Sequence, residues 1–123
     1  MKKILIVYLS RTGQTKKMAV SIAEGIGLAE KKAKIKKLHE IKNAEMLKPY
    51  DGLVFGCPTY YRSITDGMKR LLFMASNTNL AGKVGGAFGS YIYSGESGDI
   101  IYDTMRHVFK MKMIDSGVVV MEV

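Results

Sequence analysis

Ile4-Leu5-Ile6-Val7-Tyr8-Leu9-Ser10-Arg11-Thr12-Gly13-Gln14-Thr15 opens with a short, β-branched-rich apolar run and closes on a polar loop. A run this short and this continuous predicts a strand buried on both faces, which is the environment of a parallel sheet. Downstream, Met18, Ile22 and Ile26 recur every four residues with Ala19 and Ala23 beside them. That spacing predicts a helix, with Gly25 and Gly27 supplying its stop.

The same alternation continues to the end of the chain. Lys34 to Leu38 has weak alternation and heavy charge, which predicts an edge strand guarded by lysines. Asn43 to Leu47 forms a helical turn ended by Pro49, and Gly52 to Gly56 is a further buried strand. Thr65 or Ser63 can cap a helix that turns Met68, Leu71, Leu72 and Ala75 inward. Val84 to Ser90 is a glycine-rich strand, where missing side chains permit close packing. Ile100, Ile101, Met105, Val108 and Phe109 fall on helical spacing, and Val118 to Val123 is the last strand. Five strands alternating with helices predict an α/β doubly wound parallel sheet, in one domain spanning residues 1–123.

Bulk properties bound the function. The 123 residues are 47% hydrophobic and 24% charged, enough for a core and too ordered in composition for a disordered chain. Nineteen Lys and Arg against eleven Asp and Glu give a net charge of +8, which favours encounter with acidic partners or phosphates. No helix-turn-helix, zinc or RNA-binding pattern accompanies the lysines, so a solvated face is preferred to a nucleic-acid site. The single cysteine, Cys57, excludes an intrachain disulfide and fits a reducing, cytoplasmic setting. No run approaches the roughly 20 apolar residues of a membrane span. His39 and His107 have no metal-ligand partners at suitable spacing, and the nine methionines fall mainly on apolar faces. No metal site and no catalytic residue are expected.

Three loops carry chemistry. In the first, Ser10 to Thr15 lies between a strand and a helix N-terminus, where free N–H groups attract an anion. Ser10, Thr12 and Thr15 offer hydroxyls, Gly13 lets the backbone wrap closely, and Arg11 and Gln14 complete the loop. The same residues also suit plain helix capping. Neither the nucleoside-triphosphate pattern nor the Gly-x-Gly-x-x-Gly dinucleotide pattern is present.

The segment Ile6 to Ile22 resembles the flavodoxin signature, in which an aromatic residue precedes a Ser/Thr-Gly-Thr phosphate loop. The resemblance implies binding of flavin mononucleotide (FMN) by Ser10, Arg11, Thr12, Gly13, Gln14 and Thr15. The second loop, Gly56-Cys57-Pro58-Thr59-Tyr60-Tyr61-Arg62, is similar to the flavin-ring loop of flavodoxins and of the flavodoxin domain in diiron flavoproteins. Pro58 stiffens it, Thr59 offers a hydroxyl, and Tyr60 or Tyr61 can stack on the ring. Adjacent tyrosines also occur as simple packing. The third loop, Phe88 to Glu96, resembles the diiron-flavoprotein version, so Ser90, Tyr91, Tyr93 and Gly95 are candidates there, with the covering aromatic open between Tyr91 and Tyr93. A lone cysteine such as Cys57 is more often a packing residue than a redox one.

The resemblance implies the flavodoxin strand order 2-1-3-4-5, with FMN at the switch point between strands 1 and 3. It implies a low-potential electron carrier that serves redox partner proteins, acidic ones in view of the basic charge. Arg62, if near the ring, would stabilise anionic reduced flavin and raise the potential. An NAD(P)H-dependent flavin or quinone reductase on the same fold is the alternative, because fold alone does not decide. The flavodoxin pattern continues into one more helix after strand 5. Its absence here predicts an apolar patch over Leu53–Phe55, Val84–Phe88 and Val118–Val123, and a homodimer that covers it.

Overall fold

The computed structural model describes residues 3–9, 13–28, 31–58, 65–91, 96–113 and 118–121. β1 (Lys3–Tyr8) runs parallel to β2 (Lys32–Lys37) on one side and to β3 (Gly52–Pro58) on the other. β3 pairs with β4 (Val84–Tyr91), and β4 pairs with β5 (Lys112–Met113) and with β6 (Val118–Met121), all parallel. The order β2-β1-β3-β4-β5 is the expected 2-1-3-4-5.

Its last position differs from expectation, because two strand segments share it. Gly85 stands opposite Met113 and Phe88 opposite Val118, so the second segment pairs three positions further along β4 than the first. The lysines at 110 and 112 mask the first segment as a charge cluster. What holds it is Met113, whose sulfur lies where a Cβ on Gly85 would be, 2.7 Å from that position. The glycine makes room for the methionine.

α1 (Gln14–Leu28) covers one face of the sheet; α2 (Asp66–Ala75) and α3 (Glu96–Asp103) cover the other. α1 runs straight through Gly25 and Gly27, contrary to the stop read from them. Each glycine costs about 1 kcal/mol in a helix. Packing of Met18, Ala19, Ile22, Ala23 and Ile26 against Ile6 and Val54 outweighs that cost. The helix closes where Lys31 N–H donates to Ile26 O at 3.2 Å.

On the opposite face, Leu5, Val7, Leu53, Phe55, Cys57 and Ala87 from the strands meet Met68, Leu71, Leu72 and Ala75 of α2, as the spacing predicts, and Ile101 and Met105. α3 continues as a wider π turn over Thr104–Val108. The widening turns Met105 and Phe109 inward and leaves Val108 63% exposed, so Val108 is not a core residue. β2 ends at Lys37; Leu38 instead begins a 3-10 turn (Leu38–Glu40) and packs on Gly67 of α2. A second 3-10 turn, Ala44–Leu47, is the one read before Pro49.

The expected apolar patch is not present on β3 and β4. Leu53 and Phe55 face α2 and α3, while Val54 and Phe88 are buried on the α1 side. Gly52, Gly56 and Gly86 present no side chain there, and a Cβ on Gly56 would overlap the Phe88 ring. Phe88 therefore lies across β3 and covers it. Lys112, opposite the half-buried Val84, is an exposed charge on the same face. No helix follows β6 among the described residues.

Candidate functional site at the carboxyl ends of the strands

The parallel register brings the three loops to one end of the sheet. Tyr8 stands opposite Gly56, Gly56 opposite Phe88, and Pro58 opposite Ser90. The first loop leaves β1 tied to β3, since Leu9 N–H donates to Gly56 O at 3.0 Å. The second loop leaves β3 after Pro58, and the third leaves β4 after Tyr91. Three neighbouring strands thus present three loops side by side, which is where open α/β sheets bind ligands.

Of the predicted site residues, Gly13, Gln14, Thr15, Pro58, Ser90 and Tyr91 are placed on these strand ends and on α1. Ser10, Arg11, Thr12, Thr59, Tyr60, Tyr61, Arg62, Tyr93 and Gly95 lie outside the described residues, as does Ser63. Gly13 has φ +91°, a conformation that disfavours side chains, and open space surrounds the position of its missing Cβ. Its carbonyl accepts the Lys17 N–H at 3.0 Å, the first bond of α1. Thr15, in the first turn, is fully buried.

The α1 terminus has an unusual charge. Helices gain from carboxylates in the first turn, which offset the positive end of the dipole. α1 has none there, and places the exposed Lys16 and Lys17 nearby instead. The first turn of α1 supplies no acidic side chain to this positive end, and an external anion is its natural complement.

Cys57 and Thr65 anchor the second loop at both ends, a pairing that no sequence spacing signalled. Cys57 is buried in the larger core, opposite Gly89. Burial pushes its thiol up to about 11, against the opposing effect of hydrogen bonds with Thr65. A thiol with that value stays protonated at neutral pH, so it packs rather than reacts. Thr65 in turn caps α2, its Oγ1 accepting from Met68 N–H at 3.3 Å while its carbonyl accepts from Lys69 N–H at 3.0 Å. Of the two candidate caps, Thr65 is the one observed. Gly56 and Phe88, which set the spacing of β3 and β4 below the loops, were also missed as site-positioning residues; adjacent glycine and phenylalanine columns become visible only with the register.

Among the described residues no group of His, Cys, Asp and Glu is arranged to hold a metal, and no helix is long and apolar enough to cross a membrane.

Residues 5–114 match the flavodoxin domain family. The chain belongs to the flavodoxin family. It is 37% identical over 89 residues to a flavodoxin of Clostridium saccharobutylicum, covering 72% of this chain and 55% of that protein. It is 29% identical over 122 residues to the type A flavoprotein fprA of Rhodobacter capsulatus, covering 94% of this chain and 27% of the relative. Among solved structures, a flavodoxin from the domain Archaea superposes with a TM-score of 0.91 at 30% identity, over 98% of this chain and 83% of that one. The chain thus spans about half the length of the Clostridium flavodoxin and about a quarter of the type A flavoprotein.

Flavodoxins are flavoproteins of electron transport, and FMN is the family's cofactor. The residues present fit it. Gly13 in its left-handed turn, the open space beside it and the uncompensated positive end of α1 suit a terminal phosphate. The neighbouring ends of β3 and β4 suit a flat ring held beside the sheet.

Proposed function

We propose that this chain is a single-domain, cytoplasmic electron carrier that holds FMN at the carboxyl ends of β1, β3 and β4 and exchanges electrons with other proteins at low potential. The observation that carries this reading is the phosphate end of the site: Gly13 at φ +91° opens a helix whose first turn has no carboxylate. In this reading Ser10, Arg11, Thr12, Gly13, Gln14 and Thr15 bind the phosphate. Pro58, Thr59, Tyr60, Tyr61 and Arg62 line one side of the ring, and Ser90, Tyr91, Tyr93 and Gly95 the other. FMN, when bound, supplies the one-electron chemistry. The chain's own residues orient it, exclude water from its inner edge, and with Arg62 favour its anionic reduced form. The neutral Cys57 thiol adds no negative charge beneath the ring loop.

The net charge of +8 supports acidic proteins as redox partners. The described residues of β3 and β4 leave no broad apolar surface to bury against a second copy, so this reading is of a monomer, and sedimentation at micromolar concentration decides it against a homodimer.

Fluorescence titration tests the phosphate assignment. FMN is expected to bind more tightly than riboflavin, and Thr12→Glu to weaken FMN by roughly 10- to 100-fold through like-charge repulsion. Equal affinity for FMN and riboflavin would remove the assignment. Rapid oxidation of NADPH by the isolated chain with quinone as acceptor would establish a reductase instead of a carrier.

A further inference from the structure

The exposed edge of the sheet is β2, and five of the seven residues from Lys31 to Lys37 are lysine. Lys31, Lys32, Lys34 and Lys37 are exposed and Lys36 is partly so. Lys3 of β1 stands directly opposite Lys32, and Lys34 and Lys36 follow on the same face. Like charges directly opposite on neighbouring strands repel. Two carboxylates, one at each end of the strip, offset only part of this charge, Glu40 through its attraction to Lys36 and Lys37. Asp51 Oδ2 accepts from Lys3 N–H at 2.8 Å, and Glu40 Oε1 accepts from Lys37 N–H at 2.8 Å. Among the described residues the one ion pair is Lys48 with Glu45, away from this edge.

Lysines on an edge strand deter pairing with another chain. That role needs charge on the edge. It does not account for Lys3 placed opposite Lys32, nor for Lys3, Lys32 and Lys34 lining one hollow of about 450 Å³ with Pro49 and Tyr50. The arrangement retains a repulsion that an anion set between the lysines would turn into attraction.

We propose that the β2 edge, with Lys3 beside it, is the docking surface for the acidic face of a protein redox partner. This rests on the electron-carrier reading. The occupant follows from charge complementarity and from position. The upper end of the strip, Lys36 and Lys37, is opposite Val7 and Tyr8, where the first loop leaves β1. Neighbouring strands are about 4.8 Å apart. A partner laid along the strip therefore reaches from Lys3 and Lys32, at the amino ends of the strands, to Lys36 and Lys37 beside the end of the sheet where electrons would pass, a reach that matters to a redox protein and not to a nucleic acid or a lipid surface.

The test uses the full FMN-loaded chain with an acidic [2Fe–2S] ferredoxin as probe. Amide NMR shifts on titration are expected to concentrate at Lys3 and residues 31–37, and to vanish at about 0.5 M salt as screening shortens the reach of the charges. In stopped-flow electron transfer at low salt, Lys32→Glu/Lys34→Glu is expected to lower the second-order rate by roughly 10-fold or more and to flatten its salt dependence. Lys69→Glu/Arg70→Glu on α2 makes the same change in net charge and is expected to lower it less than about 3-fold. Equal losses from the two pairs, shifts centred elsewhere, or tighter binding of the same lysines to phosphatidylglycerol vesicles or duplex DNA than to ferredoxin would each overturn the proposal. If shifts map to 31–37 but no electron passes, the docking surface stands and the carrier reading fails. If electrons pass and the lysine edge is silent, the reverse holds.

Discussion

Gly56→Ala places a methyl group inside the ring of Phe88. An ideal Cβ at residue 56 would overlap Cζ, Cε2 and Cδ2 of that ring, and Phe88 has no accessible surface through which to swing away. Carbon atoms rest about 3.5–4 Å apart, so the ring or the strand must shift by more than a few tenths of an ångström. Overpacking of this kind costs about 1–3 kcal/mol. Replacing a strand glycine by alanine returns about 0.5–1 kcal/mol of chain entropy. The net expectation is a loss of about 1–2 kcal/mol. With an m-value near 2 kcal/mol per molar urea, the midpoint falls by about 0.5–1 M at fixed FMN concentration. Affinity for FMN falls too, because Gly56 O anchors Leu9 at the root of the first loop and Pro58 ends the same strand. Phe88→Val supplies the control. In that background the ring atoms are gone and only the entropic gain survives, so Gly56→Ala becomes neutral or slightly stabilising, a coupling of roughly 1.5–3 kcal/mol between the two sites. If Gly56→Ala costs the same with and without the ring, the ring is not the obstacle and the account of this face is wrong.

Lys110 has φ +59° after the π turn, a conformation that costs an L-residue about 1–2 kcal/mol; Lys110→Gly relieves that at a smaller entropic loss and raises stability by about 0.5–1 kcal/mol in urea melts. The Cys57 thiol rises from 9.0 to about 11 in the fold, so between those values the unfolded chain loses its proton first and stability falls as pH rises. The stability difference between wild type and Cys57→Ala is therefore expected to shrink by about 2 kcal/mol from pH 8 to pH 11, with no such change below pH 8. The described residues of β3 and β4 leave no broad apolar surface on the α1 side, so sedimentation of the FMN-loaded chain at micromolar concentration is expected to give a monomer; a tight dimer would show that another surface associates.

Much of the fold was legible because burial on both faces leaves continuous apolar runs. Leu5, Ile6 and Val7 of β1 and Leu53, Val54 and Phe55 of β3 are all buried, and each run announced a strand. The edge position of β2 was legible from its lysines for the complementary reason. What escaped depends on contacts between residues distant in sequence. Gly25 and Gly27 look like a helix stop until the packing of Ile26 on the sheet is known. Val108 and Phe109 both satisfy helical spacing, and only the π turn decides that Phe109 goes inward. The short strand at Lys112–Met113 is specified by Gly85 on its neighbour rather than by its own two residues. For the site, the first loop was read from its position between a buried strand and a helix start, and its described part contributes Gly13 at φ +91° and an acid-free first turn. The Cys57 and Thr65 pairing was not legible, since seven residues of chain separate two groups that meet at the mouth of β3.

The treatment of the α1 face links these observations. A flavodoxin sheet needs cover on both sides, and α1 is the only helix packed on this one among the described residues. Gly52, Gly56 and Gly86 add no apolar side chain to the area that has to be covered on this face. Phe88 then lies against Gly56 and covers β3 with a ring contributed by β4. The same choice holds β3 and β4 in close contact just below Pro58 and Ser90, where the second and third loops depart. Rigidity at that point matters for the proposed function, because a flavin held at the strand ends is positioned only as well as those ends. Cover for the sheet and support for the site are thus supplied by one pair of residues, and Gly56→Ala is expected to damage both together.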